Sequence, residues 1–221
     1  MPGWTDNLKD RPMPNFTDLT GLASVASAGA AAVLLLPGIA RLSRLRLAML
    51  QGTVFVLMLI PFGELPLAAY LRGATGDLSI TTLVLIWCTL LRPGFVCGDN
   101  DANNRRALLT LVALVALPLY PLSLGLTAFD PYHLGYGDPQ FVAVLLLAAL
   151  AAWIWKHHLI ASCISLATLA WATGWYESGN LWDYLLDPFL SIYALAAIMI
   201  QVVKALMQKC RLLCSQPPIQ G

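Results

Sequence analysis

Five side chains in the predicted loops have the residue types that could carry chemistry. They are Glu64, Asp130, His133, Glu177 and Asp183. An acid near the hydrocarbon is costly to hold there and is by default a functional-site candidate. A histidine can act as a base or a ligand because its pKa lies near neutral. If the five converged, they would line a polar cavity on the outer side of a membrane protein. No catalytic residue follows from the sequence.

Two of the loops that carry these residues are punctuated by proline. Glu64 lies between Pro61 and Pro66, where missing backbone donors leave nearby carbonyls to find other partners. His133 lies in the stretch 129–139, which two Asp-Pro pairs bracket and which is therefore predicted to form a compact turn. Both residues have a structural alternative. Glu64 would only begin the short apolar segment that follows it, and His133 would belong to an aromatic belt at the headgroup level.

The third loop, residues 175–188, holds the last two candidates. Ser178 or Asn180 is expected to begin a helix that has Asp183 in its first turns. Asp183 and Asp187 are four residues apart and would share one face of that helix, where they could bind a cation with a neighbouring acid. Asp187 has an alternative role as the N-terminal cap of the span that begins with the proline after it.

The sequence offers no strong metal or cofactor motif. The run Asp99-Asn100-Asp101 lacks the glycine and the distal glutamate of a calcium loop. The adjacent His157 and His158 would point to different sides of a helix and make a poor ligand pair. The five cysteines are scattered and form no CxxC pair, so they are expected to be reduced. We therefore predict no metal site and no cofactor.

The amino-acid composition indicates whether the chain folds in water or in a membrane. Of the 221 residues, 58% are hydrophobic and 11% are charged, against about 45–50% and about 25% in soluble domains. So few charges cannot cover a water-exposed surface. A net charge of +1 without a basic stripe argues against a nucleic-acid partner. The composition predicts an all-α, polytopic membrane protein whose first partner is the lipid bilayer.

Seven apolar runs are predicted to cross the bilayer, for which a helix needs about 20 apolar residues. They are Leu22–Ala40, Leu47–Gly63, Leu78–Leu91, Ala107–Phe129, Phe141–Trp155, Leu159–Trp175 and Pro188–Val203. The third and fifth runs are short and reach that length only with their flanks, whereas the last extends to Met207 if Lys204 snorkels. The domain organisation that follows is a polar flank (1–21), one membrane domain (22–207) and a cytoplasmic tail (208–221).

The placement of lysine and arginine predicts the orientation. With the N-terminus outside and the C-terminus inside, ten of the 13 cations lie in inner segments, and only Lys9, Arg11 and Arg72 lie outside. Most of the acids then fall on the outer side, which makes that face acidic. On the inner side, Arg105 and Arg106 are expected to anchor the fourth span at anionic lipid.

Two functional hypotheses follow. The first is a non-catalytic component of a cell membrane, of the kind found in bacterial inner membranes, that presents acidic, aromatic outer loops to a membrane-protein partner. It rests on seven compact spans without a soluble domain or a common catalytic motif. The second is an enzyme acting on a lipid-linked substrate, or a small-solute transporter, that uses the outward carboxylate and histidine cavity. Transport ranks lower because the spans offer few polar residues at depth.

Overall fold

The computed structural model describes residues 16–39, 42–91, 101–126 and 129–214, and most of these residues are helical. The helices are α1 (Phe16–Ala32), α2 (Arg44–Leu59), α3 (Leu67–Thr75), α4 (Ile80–Leu90), α5 (Asp101–Pro121), α6 (Pro139–Ile154), α7 (His158–Ala172), α8 (Leu181–Leu185) and α9 (Pro188–Cys214). A two-residue antiparallel hairpin, β1 (Pro61–Phe62) and β2 (Leu65–Pro66), separates α2 from α3. The predicted all-α class is confirmed.

Among the described residues, three helical segments are long and apolar enough to cross a membrane: Phe16–Leu35, Ala102–Gly125 and Pro188–Lys209. α4, α6 and α7 are apolar but shorter. The 16 residues of α6 rise about 24 Å, whereas the hydrocarbon core of a bilayer is about 30 Å thick. Each of the seven apolar runs overlaps a helix, but within the described parts of the chain only these three segments qualify as spans. The count of seven and the orientation therefore stay predictions.

The first and last candidate spans each pass one limit that hydropathy suggests, although the first ends at Leu35 rather than at Ala40. α1 begins at Phe16 rather than at Leu22, with Asp18 in its first turn, where a negative charge complements the helix dipole. α9 continues to Cys214, beyond Met207, because no glycine or proline interrupts it.

The core of the molecule forms around α7. This helix packs against α4, α5, α6 and α8, while α5 packs along α9. Small side chains allow the close approach of membrane helices, and α7 buries Ala161, Ala167 and Ala170 in the centre of the main cluster. A second cluster joins α1, α2 and α3 through the buried Val25, Ala26, Met58 and Ala68.

The turn between α6 and α7 is a Schellman motif. The amide of His157 donates to the carbonyl of Ala152 at 2.8 Å, and that of Lys156 donates to the carbonyl of Trp153 at 3.0 Å. Lys156 occupies the left-handed position of this motif, with φ of 63°. This turn lies between the apolar runs Phe141–Trp155 and Leu159–Trp175, and His157 also contacts the side chain of Asn104 on α5.

Large apolar side chains cover much of the surface. At the end of α6, Trp153, Ile154 and the C-cap residue Trp155 are 59%, 65% and 73% exposed. Contiguous exposed apolar surface of this kind is rare in monomeric soluble proteins. It is suited to contact with hydrocarbon, and it agrees with the membrane class that the composition predicts.

Candidate functional site

The two Asp-Pro pairs of the 129–139 segment each begin a helix. Asp130 accepts a hydrogen bond from the amide of Tyr132 at 2.9 Å and begins a short 3₁₀ helix, Pro131–Gly135. Asp138 accepts one from the amide of Phe141 at 2.9 Å and begins α6. In both cases proline occupies the first helical position, where its missing N–H costs nothing. The predicted compact turn is confirmed.

The 175–187 segment folds around two buried polar residues. Asn180 caps α8, because its side-chain oxygen accepts from the amide of Trp182 at 2.9 Å. The hydroxyl of Tyr184 accepts from the amide of Tyr176 at 3.0 Å and lies 3.0 Å from the carbonyl of Ser178. Neither Asn180 nor Tyr184 is measurably exposed to solvent. Of the two helix starts predicted for this segment, Asn180 is the one observed.

Three side-chain hydrogen bonds join these two segments. The hydroxyl of Tyr132 donates to Asp183 at 2.8 Å. The side-chain amide of Asn180 donates to the carbonyl of Tyr132, and the indole of Trp182 donates to the carbonyl of Pro131, both at 3.0 Å. Burial, together with the bond to Asp183, raises the pKa of the Tyr132 hydroxyl above its ordinary value, so the phenol remains a donor. We call residues 129–138 and 175–187 together the loop cap.

Replacing Gly135 by alanine is expected to separate the two halves of the loop cap. A Cβ at this position would lie 1.8 Å from Oδ1 of Asn180 and 2.8 Å from Cδ1 of Trp182. Asn180 is buried and hydrogen-bonded, so it has no room to withdraw. We expect a loss of about 1–3 kcal/mol of stability from this overpacking and a red shift of tryptophan emission. The control is Gly179→Ala, where an added Cβ meets nothing within 4 Å. Equal behaviour of the two variants would contradict the contact.

Arg72 connects the loop cap to the first half of the chain. Its guanidinium contacts Asp77 at 2.6 and 3.1 Å, Asp18 on α1 at 3.1 Å and Glu177 of the loop cap at 3.7 Å. The hydrogen bond to Asp77 raises the pKa of Arg72 above its usual value. The charge on Arg72 is therefore permanent, and three elements meet on it. α1 approaches so closely that a Cβ on Gly21 would lie 2.4 Å from Nε of Arg72.

Asp187 joins α4 to α9 through a buried carboxylate that is 3% exposed. Its Oδ1 accepts from the amide of Leu190 at 2.8 Å, which confirms the predicted N-terminal cap of the last span. Its Oδ2 accepts from the amide of Ser79 at 3.0 Å, from the hydroxyl of Ser79 at 2.7 Å and from the hydroxyl of Thr82. Ser79 itself caps α4. This second role was missed by sequence reasoning.

The prediction that Asp183 and Asp187 share a helical face is wrong. α8 ends at Leu185, and Leu186 is extended, with φ of −137° and ψ of 144°. Asp187 precedes Pro188, and the residue before a proline avoids the α region. α8 therefore ends before Asp187, and the two carboxylates lie on different elements. Asp183 accepts hydrogen bonds from Tyr132 and Ser178, whereas Asp187 faces α4.

The five candidate residues occupy four separate environments. Glu64 is exposed at the tip of the β1–β2 hairpin, and Asp130 and His133 are exposed on the loop cap. Glu177 is 64% exposed and pairs with Arg72. Asp183 is half-buried and hydrogen-bonded within the loop cap. The loop cap therefore brings together the segments of four candidates, and Glu64 lies on another element.

Three cavities within the described part of the chain have mostly apolar walls. One, of 220 Å³, lies among α4, α5, α6, α7 and α8 and includes Cys163 and Trp182 in its lining. Others, of 320 and 340 Å³, flank α4 on its α9 and α1 sides. None of the five candidate residues lines any of these three cavities. The described residues also hold no group of three or more metal-ligating side chains.

Compared with protein families, curated proteins and solved structures, the chain matches none of them.

Proposed function

We propose that this chain is a non-catalytic component of a membrane assembly that presents its loop cap to a protein partner. The observation that carries the proposal is that most carboxylates of the loop cap already form structural contacts. Asp130, Asp138 and Asp187 cap helices, Asp183 accepts from Tyr132 and Ser178, and Glu177 pairs with a cation. Carboxylates held in this way support a rigid, shaped surface rather than general acid–base work.

The alternative, an enzyme on a lipid-linked substrate or a transporter with an outward cavity, needs the five candidate side chains in one pocket. Glu64 lies on the hairpin rather than on the loop cap, and none of the five side chains lines any of the three cavities described above. These observations favour the non-catalytic role. A substrate-dependent turnover by the purified chain that is lost in His133→Gln would favour the alternative instead.

The test is site-specific photo-crosslinking in native membranes. Tyr136 is 64% exposed on the loop cap, and Leu147 is 65% exposed on α6, so the two positions are matched in exposure. A photoreactive phenylalanine analogue at 136 is expected to give a discrete protein adduct, and the same residue at 147 is expected to give lipid adducts. A 136 variant that gives no protein adduct, or the same adducts as 147, would contradict the proposed role.

The orientation is tested with single cysteines in a background free of native cysteines. Tyr136→Cys is expected to react with an impermeant maleimide in intact cells or spheroplasts, because the loop cap is predicted to face outward. Asn103→Cys, at the exposed start of α5, is expected to react only after lysis. The reverse pattern would overturn the orientation. If both cysteines reacted from the same side of the membrane, an even number of spans would separate positions 103 and 136.

A further inference from the structure

A groove of 320 Å³ between α1, α4 and α9 has one cation in its lining. Its walls include Ala31 of α1, Leu85 and Thr89 of α4, and Phe189 of α9. Arg105 of α5 also lines the groove. The groove follows α4 from Thr82 to Thr89, which at 1.5 Å per residue is about 10 Å.

The guanidinium of Arg105 is poorly satisfied by the described residues. Among the residues whose side chains the structure describes, which exclude Asp101, its one hydrogen bond goes from Nη2 to the hydroxyl of Tyr193 at 3.3 Å, and it forms no ion pair. Arginine carries five N–H donors, and Arg72 in the same protein contacts three acids. Arg105 lies near the start of the candidate span Ala102–Gly125. A half-buried positive charge at the start of a candidate span is stabilised when an anion pairs with it.

The other polar groups of the groove are already occupied. The hydroxyl of Thr89 donates to the carbonyl of Leu85 at 2.8 Å, and the hydroxyl of Thr82 donates to Asp187. Arg105 and Tyr193 are therefore the groups left to recognise a ligand, while the remaining walls are apolar. A ligand that matches this lining has an anionic group at one end and a hydrocarbon chain at the other.

We propose that this groove binds an anionic phospholipid, whose phosphate pairs with Arg105 and whose acyl chain lies along α4 between α1 and α9. An arginine fork and a phosphate form bidentate, charge-assisted hydrogen bonds. Tyr193 accepts from Arg105 and keeps its own proton to donate to a phosphate oxygen. Cationic pockets between membrane helices are suited to anionic headgroups. The site goes beyond the proposed partner-binding role and does not depend on it.

The headgroup contact is tested with the whole chain in nanodiscs of phosphatidylcholine that contain increasing phosphatidylglycerol, with bound lipid counted by native mass spectrometry. Arg105→Gln is expected to weaken phosphatidylglycerol binding at least about tenfold, because hydrogen bonds to charged groups contribute about 1.5–3 kcal/mol. Arg106→Gln is the matched control. It removes the same charge from the adjacent, exposed residue and is expected to change binding less than about twofold.

The chain contact is tested by filling the groove. Ala31→Phe is expected to abolish retention of phosphatidylglycerol, whereas Ala32→Phe, at the exposed neighbouring position outside the groove lining, is expected to leave it intact. Equal losses in Arg105→Gln and Arg106→Gln would overturn the site in favour of bulk electrostatics. Unchanged binding in Ala31→Phe, or equal retention of phosphatidylcholine, would overturn it as well. So would a photoreactive residue at Thr89 that crosslinks to protein, which would assign the groove to a partner helix.

Discussion

Replacing Asp187 by alanine is expected to lower the free energy of unfolding by about 3–5 kcal/mol, as for the loss of one member of a buried polar network. The carboxylate is 3% exposed and accepts from Leu190, Ser79 and Thr82. Alanine would leave two backbone donors and two hydroxyls without their acceptor, and water cannot reach the site readily. Because α4 and α9 both begin at this carboxylate, both helix starts should loosen together.

Two variants separate the buried network from an ordinary helix cap. Asp138→Ala removes a cap from α6 alone and should cost about 1 kcal/mol. Asp187→Asn keeps one acceptor oxygen for Leu190, but its NH₂ group cannot accept from Ser79. Its loss of stability should therefore lie between those of Asp187→Ala and Asp138→Ala. Thermal and denaturant unfolding in one detergent would measure all three. If Asp187→Ala were no more destabilising than Asp138→Ala, the link from α9 to α4 would contribute nothing beyond the cap.

The parts of the fold that the sequence predicts are those set within a few residues of the chain. The helices at the seven apolar runs follow from local hydropathy, and the compact turn at 129–139 follows from its two Asp-Pro pairs. The cap of α9 by Asp187 follows from the same rule. The predicted helix ends are less accurate, since α1 begins at Phe16 rather than at Leu22 and α9 continues to Cys214 rather than ending at Met207.

The contacts that unite the loops could not be predicted, because they join residues far apart in the chain. Ser79 and Asp187 are separated by 108 positions, and Asp18 and Arg72 by 54. Patterns of sequence spacing report neighbours within about one helical turn and give no information at that range. One signal was present. Arg72 is an isolated cation on the predicted acidic side, and such a charge requires partners.

The candidate site was predicted from residue type, which does not reveal what a polar side chain already contacts. Asp183 and Glu177 have the chemistry of a cation site, yet a tyrosine, a serine and an arginine already contact them. The separation of Asp183 from Asp187 has a local cause, because Pro188 keeps the residue before it out of the α conformation and α8 ends at Leu185.

Replacing Arg72 by glutamine is expected to destabilise the protein by about 2–3 kcal/mol, somewhat less than the loss of one partner from a fully buried pair. The side chain of Arg72 is 16% exposed, and those of Asp77 and Asp18 are 22% and 36% exposed. Water therefore screens part of the charge that would be left unpaired. The loss should be shared by α1, α3 and the loop cap, because Arg72 is the group on which they meet.

The contribution of Arg72 is measured by a double-mutant cycle. Asp77→Asn in the Arg72→Gln background removes the strongest unpaired charge, and the coupling energy is expected to be about 1–3 kcal/mol. Arg46→Gln, at an exposed position on α2, serves as the control and should change stability by less than about 0.5 kcal/mol. Additive effects of Arg72→Gln and Asp77→Asn would contradict the ion pair. The alternative result is a coupled effect together with reduced crosslinking from position 136 in Arg72→Gln. It would mean that the ion pairs of Arg72 hold the loop cap in the shape that its partner recognises.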